Sequence, residues 1–260
     1  MDSVGDTNRS DDSRSRRHSL ADWLALHELD QVTCRGILDA MTPKAAGGPT
    51  TRKRLNLGSQ KIDSEVAWLT TADAMRDFLP EQQSIIDDTF ENTAKIVVEQ
   101  PDKSRKALTL DNGPTAYPTI LFSYRGKPAD SLVIAHEFGH ALQIRASRGK
   151  FVPPVIREVC AFLGEGALLS HALQRNAAQY SDLVRVWQKD NYRYFGAQSD
   201  RLRAALLRPD ASYMYSWNYP IARYLAIQIS EECSRDWIWG LFEGETSVRG
   251  VLRKLAFSPS

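Results

Sequence analysis

The chain has 260 residues, with 33 Lys and Arg against 32 Asp and Glu, and a formal net charge of +1. This length allows a sizeable buried core, and the balanced charge does not favour nucleic acid as a partner. Three widely spaced cysteines do not suggest a disulfide framework. The N-terminus lacks the apolar run of a Sec signal peptide, and no apolar stretch has the length of a membrane helix. These features predict a cytoplasmic protein without a membrane partner; the oligomeric state is left open.

The N-terminal region has two parts. Residues 1–18 are rich in Ser, Asp and Arg and have almost nothing to bury, which predicts a disordered polar tail. The same composition permits a non-cleaved address for a dedicated, non-Sec secretion system. Residues 19–60 are predicted to form an N-terminal helix, capped by Ser19 and running to about Met41, and then a Gly- and Pro-rich linker.

The remainder, residues 61–260, is predicted to be mainly helical with one small sheet. Helical periodicity returns at 63–78 and 81–95. KIVVEQ at 95–100 and YPTILFSY at 117–124 are rich in β-branched and aromatic residues and predict two strands. The segment GKPAD ends the second strand and opens a helix. Further helices are predicted at 155–174, 178–208, 211–231 and 245–256. The fold class is therefore mainly α, of the α+β type.

The helix that follows the second strand contains the motif HEFGH. His136 and His140 are four residues apart, so both imidazoles face the same side of a helix and can bind one metal ion. Glu137 lies one residue around the axis, where it can reach a water on that ion. Two imidazoles and one carboxylate leave a fourth zinc position open, which is typical of a catalytic site. The alternative is an exposed, idle pair of histidines.

The third ligand is expected on the next helix, because Ala146 occupies the position where a metzincin has its histidine. Glu158 comes early in that helix, so an antiparallel hairpin would return it to the metal face of the first helix. Glu165, about two turns further on, suits the second shell, where a carboxylate orients a ligand imidazole. Glu165 as the ligand is the main alternative. Cys160 is interpreted as a small buried residue rather than a ligand.

Several segments, in order, resemble the M3 family of zinc peptidases, the oligoendopeptidase F and thimet oligopeptidase group. They are KIVVEQPDKSRKALTLDNGPTAYP, YPTILFSYRGKPADSLVIAHEFGHALQ, REVCAFLGE and YMYSWNYPIARYLA. The resemblance implies a zincin-like catalytic domain over residues 61–260. It also implies roles for single residues: zinc ligands His136, His140 and Glu158, general base Glu137, and substrate or oxyanion contacts Tyr219, Tyr215 and Tyr213.

The chain departs from the family pattern in three ways. The gap between His140 and Glu158 is short and nearer that of thermolysin-like gluzincins, which keeps a general gluzincin as an alternative. No histidine follows His171, so tyrosine alone would stabilise the oxyanion. The long N-terminal helical half of the family is missing, and only the catalytic half is matched.

These features predict a zinc-dependent endopeptidase or oligopeptidase that acts on peptides or proteins. The strand PTILFSY, with Thr119 and Leu121, is expected to bind the substrate backbone by strand addition, which gives loose specificity. One alternative is a non-catalytic zincin-fold module that binds a peptide or protein. Another is a secreted effector peptidase with a single protein target.

Overall fold

The computed structural model describes residues 18–45, 61–98, 107–208 and 210–257. These residues form a mainly helical fold with one small sheet, as predicted; the sheet has three strands, of which two were predicted. The predicted tail, apart from His18, and the linker from residue 46 onward lie outside the described residues. The strands are β1 (Ala94–Val97), β2 (Ala107–Leu110) and β3 (Thr119–Phe122). The helices are α1 (Leu20–Leu26), α2 (Gln31–Ala45), α3 (Ser64–Phe78), α4 (Gln83–Asn92), α5 (Pro128–Ser147), α6 (Pro154–Arg175), α7 (Ala177–Arg193), α8 (Ser199–Ala205), α9 (Asn218–Glu232), α10 (Arg235–Phe242) and α11 (Val248–Lys254).

Several predicted helix boundaries are wrong. Ser19 caps α1 as expected, but the predicted helix to Met41 is broken because the chain turns at Glu28, which has a φ of 53°. The predicted helix 178–208 is interrupted by a π turn with a non-helical Gly196. The last two predicted helices begin later, at Asn218 and Val248, and α10 was not predicted. No helix in the described part of the chain has both the length and the apolarity to cross a bilayer.

The sheet has the order β1-β3-β2, with β1 parallel and β2 antiparallel to β3. β3 is therefore the central strand, and Thr119 and Leu121 each face a partner residue on both sides. A strand that is paired on both sides cannot accept another one. The prediction that Thr119 and Leu121 bind substrate by strand addition is wrong for this reason. β2, which sequence patterning did not predict, is an antiparallel edge strand.

Helices α5 and α6 pack together at two glycines. A Cβ atom on Gly139 would lie 2.7 Å from the carbonyl oxygen of Cys160, and one on Gly164 would lie 2.5 Å from that of Ala135. No side chain fits at these distances, so the two backbones are in direct contact. This contact fixes the distance between the two helices that carry the HEFGH motif and the acidic residues.

His27 joins α1 to the start of α6. Its ring is fully buried, and its Nδ1 lies 2.7 Å from the carbonyl oxygen of Trp23. Its Nε2 accepts a hydrogen bond from the backbone N–H of Val155, at 3.2 Å. This N–H belongs to the first turn of α6, where it has no partner within the helix. A neutral imidazole with its proton on Nδ1 satisfies both contacts, so His27 acts as a structural cap.

The free energy of unfolding is expected to fall at acidic pH because of His27. Burial lowers the pKa of His27 below its ordinary value of 6.5, and the hydrogen bond to Trp23 only partly opposes this effect. A histidine whose folded-state pKa is lowered contributes its full stability above pH 6.5 and loses it as the pH falls.

His27→Gln keeps an acceptor for Val155 but does not titrate. Urea unfolding from pH 7.5 to 5 should therefore show a smaller loss of stability for His27→Gln than for the parent. His18→Gln, which changes an exposed ring, should keep the parental profile; equal slopes for all three proteins would contradict the prediction.

Candidate metal centre

The HEFGH motif lies in the middle of α5, a helix with a well-defined start. Pro128 occupies its first turn, where a missing N–H costs nothing, and Asp130 accepts hydrogen bonds from the backbone N–H groups of Arg125 and Lys127. His136 and His140 face the same side of α5, with ring centroids 4.9 Å apart. Both rings are half-buried and point towards α6 rather than solvent. The idle, exposed pair of histidines is therefore excluded.

Glu158 on α6 completes a three-residue group with the two histidines. Its Oε2 lies 3.3 Å from Nε2 of His136, and its Oε1 lies 3.6 Å from Nε2 of His140. One ligand atom from each residue lies within 4.8 Å of the others. Tetrahedral zinc with bonds of about 2.0–2.2 Å places its ligand atoms about 3.3–3.6 Å apart. Glu158 Oε2 is also buried without a hydrogen-bond partner. The spacing and the unpartnered oxygen both fit a zinc ion.

The electrostatics of this group favour a positive charge. Burial would lower the pKa of His136, but Glu158 and Glu165 outweigh burial and raise the pKa to about 10. Burial lowers the pKa of His140 to about 4, with Glu158 opposing. Burial would raise the pKa of Glu158, but His140 and His136 lower that pKa to about 2. The two carboxylates thus favour a positive charge at His136, which is a proton when no metal is bound and which a metal ion would replace.

Glu165 lies behind His136 rather than among the three ligand atoms. Its Oε1 is 2.9 Å from Nδ1 of His136, and its Oε2 accepts a hydrogen bond from Nη1 of Arg223 at 2.6 Å. Burial would raise the pKa of Glu165, but Arg223 and His136 outweigh it and keep the pKa below its ordinary value. The arrangement is the one expected of a carboxylate that orients a metal-binding imidazole.

Glu137 points to the opposite side of the group, towards the sheet. Its Oε2 accepts a hydrogen bond of 2.7 Å from the hydroxyl of Thr109, which lies on β2. Burial raises the pKa of Glu137, with the charge of His136 opposing. A buried carboxylate with a raised pKa is a stronger base than an exposed one. The second oxygen of Glu137, Oε1, has no hydrogen bond among the described residues and can contact a water.

The tyrosines of the segment 213–219 lie at different distances from the group. Tyr215 donates a hydrogen bond of 2.6 Å to Oε1 of Glu158. Burial raises the pKa of Tyr219, and the charges of Glu158 and Glu137 raise it further. The ring centroid of Tyr219 lies 5.8 Å from that of Tyr215. Tyr213 accepts a hydrogen bond from Asn218, whose own carbonyl binds the indole N–H of Trp23. Tyr213 thus takes part in a contact between the N-terminal helix and α9.

Sequence reasoning missed two residues that contact predicted ones: Thr109, which binds Glu137, and Arg223, which binds Glu165. It also missed Asn191, which binds Arg223. Thr109 lies on the strand that was not predicted, and Arg223 lies in the segment 213–226, which drew attention only for its tyrosines. Arg223 is 1% exposed although it is charged. Helical periodicity identifies buried positions by their apolar residues, so it does not predict that a charged residue of α9 such as Arg223 is buried. Cys160, in contrast, is buried as expected, and burial raises the pKa of its thiol.

Comparisons with known proteins support the fold but not a sequence family. No protein-family model matches the chain, and no curated protein matches it in sequence. Two solved structures resemble it. One is described as a "putative peptidase from Chlamydophila abortus", with a TM-score of 0.50 and 16% identity over 94% of this chain and 44% of the other. The second is described as a "putative oligoendopeptidase F from Bacillus anthracis str. Ames", with a TM-score of 0.50 and 17% identity over 92% of this chain and 55% of the other.

The chain has the fold of peptidase structures. At 16% and 17% identity the likeness concerns the fold alone, and the chain spans about half the length of these two proteins. The coarse prediction of a peptidase-like fold, mainly helical with a small sheet, is thereby confirmed. The M3 assignment, the zincin subclass and the division into a tail, an N-terminal helix with linker and a catalytic domain stay predictions.

Proposed function

We propose that this protein is a zinc-dependent endopeptidase in which His136, His140 and Glu158 bind the metal. The observation that carries the proposal is the convergence of two imidazole Nε2 atoms and one carboxylate, with Glu137 beside them. Two structural neighbours described as peptidases support the same reaction class. Imidazole and carboxylate ligands suit zinc best among common metal ions. Glu165, which binds the far side of His136, is assigned to orientation rather than to the metal.

Different side chains around the metal serve different steps of hydrolysis. Zinc, when bound, polarises the scissile carbonyl and lowers the pKa of the attacking water. Glu137 accepts the proton of that water and later passes it to the leaving amine. Thr109 holds one oxygen of Glu137 in place, so the other oxygen keeps its direction. Tyr219, whose ring packs against that of the Glu158-bound Tyr215, is assigned to the developing negative charge on the substrate.

Tyr215 is assigned to contact with the substrate. Its hydroxyl hydrogen bonds Glu158, and its side chain is 46% exposed. An exposed ring anchored to a ligand carboxylate lies at the mouth of the site, where it can contact a bound peptide. Tyr213, which is bound to Asn218, is placed farther out, and a substrate contact by Tyr213 remains a prediction.

The strand that receives a substrate is β2 rather than β3. β2 pairs with β3 on one side, and no other strand of the described residues pairs with it. Thr109, in the middle of β2, contacts Glu137, so a peptide added along this edge would pass close to the base. Main-chain pairing gives affinity without strong demands on side chains. Binding along this edge therefore suits a peptide or protein substrate and gives broad specificity.

The alternative of a non-catalytic binding module rests on length, because the match covers only 44% and 55% of the two neighbours. A binder would have no use for a buried base such as Glu137, held by a dedicated hydroxyl. The secreted effector with one protein target, like the compartment of the protein, stays a prediction because the tail of residues 1–17 lies outside the described residues.

Chelator-sensitive cleavage is the test of the proposed function. The purified full chain, loaded with zinc, is incubated with a mixed peptide library, and new termini are identified by mass spectrometry. We expect cleavage that stops when a chelator removes the metal and returns when zinc is added back. Zinc binding without cleavage of any peptide or protein would contradict the proposal and favour the binding module. Cleavage that persists in the chelator would contradict the metal mechanism.

A further inference from the structure

Arg223 lies in the interior although it carries a permanent charge. It is 1% exposed, and burying an unpaired guanidinium would be very costly. Its partners are specific: Nη1 donates to Oε2 of Glu165 at 2.6 Å, and Nε donates to Oδ1 of Asn191 at 2.6 Å. Among the described residues, Glu165 is the carboxylate that forms an ion pair with Arg223. The charge of Arg223 is therefore matched by a residue that itself contacts a proposed metal ligand.

Three aromatic rings lie close to the guanidinium. Its carbon Cζ lies 4.5 Å from the ring centroid of Trp187, 4.7 Å from that of Phe162 and 5.7 Å from that of Tyr194. Arginine packs on aromatic rings while its N–H groups form hydrogen bonds. The surrounding rings and the two acceptors leave the guanidinium little freedom to rotate. The direction in which Nη1 points is thus fixed by α6 and α7.

A fixed guanidinium determines the position of the Glu165 carboxylate. Because Oε2 is bound to Arg223, Oε1 is directed at Nδ1 of His136, 2.9 Å away. A hydrogen bond at Nδ1 selects the tautomer in which Nε2 is free to bind a metal. The chain of contacts therefore runs from α7 and α9 through Glu165 to the ring of His136.

We propose that Arg223 is a positioning residue for the metal centre: through Glu165 it fixes the orientation of the His136 imidazole. This inference rests on the proposed function, since it takes His136 as a metal ligand. It adds a residue that no sequence motif singles out, and it connects the metal centre to helices that contribute no ligand. Arg223 does not touch the metal or the substrate.

The test measures metal binding directly, so that it does not depend on peptide cleavage. Zinc affinity of the full chain is determined by competition with a chromophoric chelator, and the absorption spectrum of bound Co²⁺ reports the ligand geometry. Arg223→Met keeps an unbranched apolar side chain beside the aromatic rings but removes the charge and both hydrogen bonds. We expect a zinc affinity about 10- to 100-fold weaker, the usual loss for an outer-shell residue, and an altered Co²⁺ spectrum. Arg76→Met, which breaks ion pairs to Asp73 and Asp87 on the surface of α3, is the matched control and should bind zinc like the parent.

A double variant separates positioning from charge compensation. Arg223→Met alone leaves Glu165 as an unpaired buried charge and is expected to reduce stability. Glu165→Gln combined with Arg223→Met removes both charges, so it should fold even if the single variant does not. If Arg223 positions the ring, zinc affinity stays low in the double variant because nothing fixes the residue at position 165.

Three results would overturn the inference. Parental zinc affinity in the double variant would mean that Arg223 only balances the charge of Glu165. Parental affinity and spectrum in Arg223→Met would mean that Glu165 keeps its position unaided, and the proposed peptidase function would be untouched. A parent chain that binds no zinc would remove both the inference and the proposed function, which distinguishes this case from the other two.

Discussion

Glu137→Gln is expected to lower kcat/KM for peptide cleavage by about 10²- to 10⁴-fold, the usual contribution of a general base. Zinc should stay bound at the parental stoichiometry, because the proposed ligands are His136, His140 and Glu158. The glutamine amide can still accept the hydrogen bond of Thr109, so the fold of the site is preserved. Steady-state kinetics on a peptide from the library digest, together with metal analysis of the same sample, measures both quantities.

A substitution of a glutamate elsewhere in the protein is the control for the removal of one carboxylate charge. Glu65 is exposed in the first turn of α3, and Glu65→Gln should cleave like the parent. Parental activity in Glu137→Gln would contradict the assigned base. Loss of zinc together with activity in that variant would also contradict the assignment, because the defect would then lie in metal binding rather than in proton transfer.

Gly164→Ala is expected to destabilise the protein by about 2–3 kcal/mol, as overpacking of a close contact does. The added Cβ would lie 2.5 Å from the backbone oxygen of Ala135, and a backbone atom cannot move aside as a flexible side chain can. The two helices must separate, which also moves Glu158 away from the histidines. Chemical denaturation of the zinc-free chain measures the first effect, and chelator competition measures the accompanying loss of zinc affinity.

Gly166→Ala is the matched control for this variant. It lies two residues further along α6, and a Cβ at this position meets no atom within 4 Å. Alanine is the better helix former, so Gly166→Ala should raise the free energy of unfolding by up to about 1 kcal/mol. Equal effects of the two substitutions would show that the helices do not depend on the contact between Gly164 and Ala135.

Local sequence patterns predicted the part of the site that one helix contains. The positions of His136, Glu137 and His140 follow from helical periodicity, and Glu158 could be anticipated because a short connection forces the next helix to return antiparallel. Thr109 and Arg223 could not be predicted in this way. They lie 28 residues from Glu137 and 58 residues from Glu165, and their contacts depend on the packing of the whole chain.

The difference between local patterns and long-range contacts also explains the wrong predictions about the fold. Strand β2 has four residues, ALTL, and follows a charged stretch, so its period-two pattern is too short to be recognised. The predicted helix from Ser19 to Met41 continues a helical pattern through Glu28, where burial of Leu29 decides the path instead. Strand addition to β3 is wrong because β2, which was not predicted, pairs with its second side. Tertiary contacts override local preference at each of these positions.

Under the proposed function, the edge of β2 that no described strand pairs with has a consequence for the targets of this protein. A peptide that pairs with β2 must be extended over several residues, so a helix or a folded hairpin has to open before it reaches Glu137. The opening of a compact target costs free energy that its own packing determines. The rate at which a native protein is cut would then follow how often one of its segments unfolds locally, whereas unstructured chains would be cut without this delay.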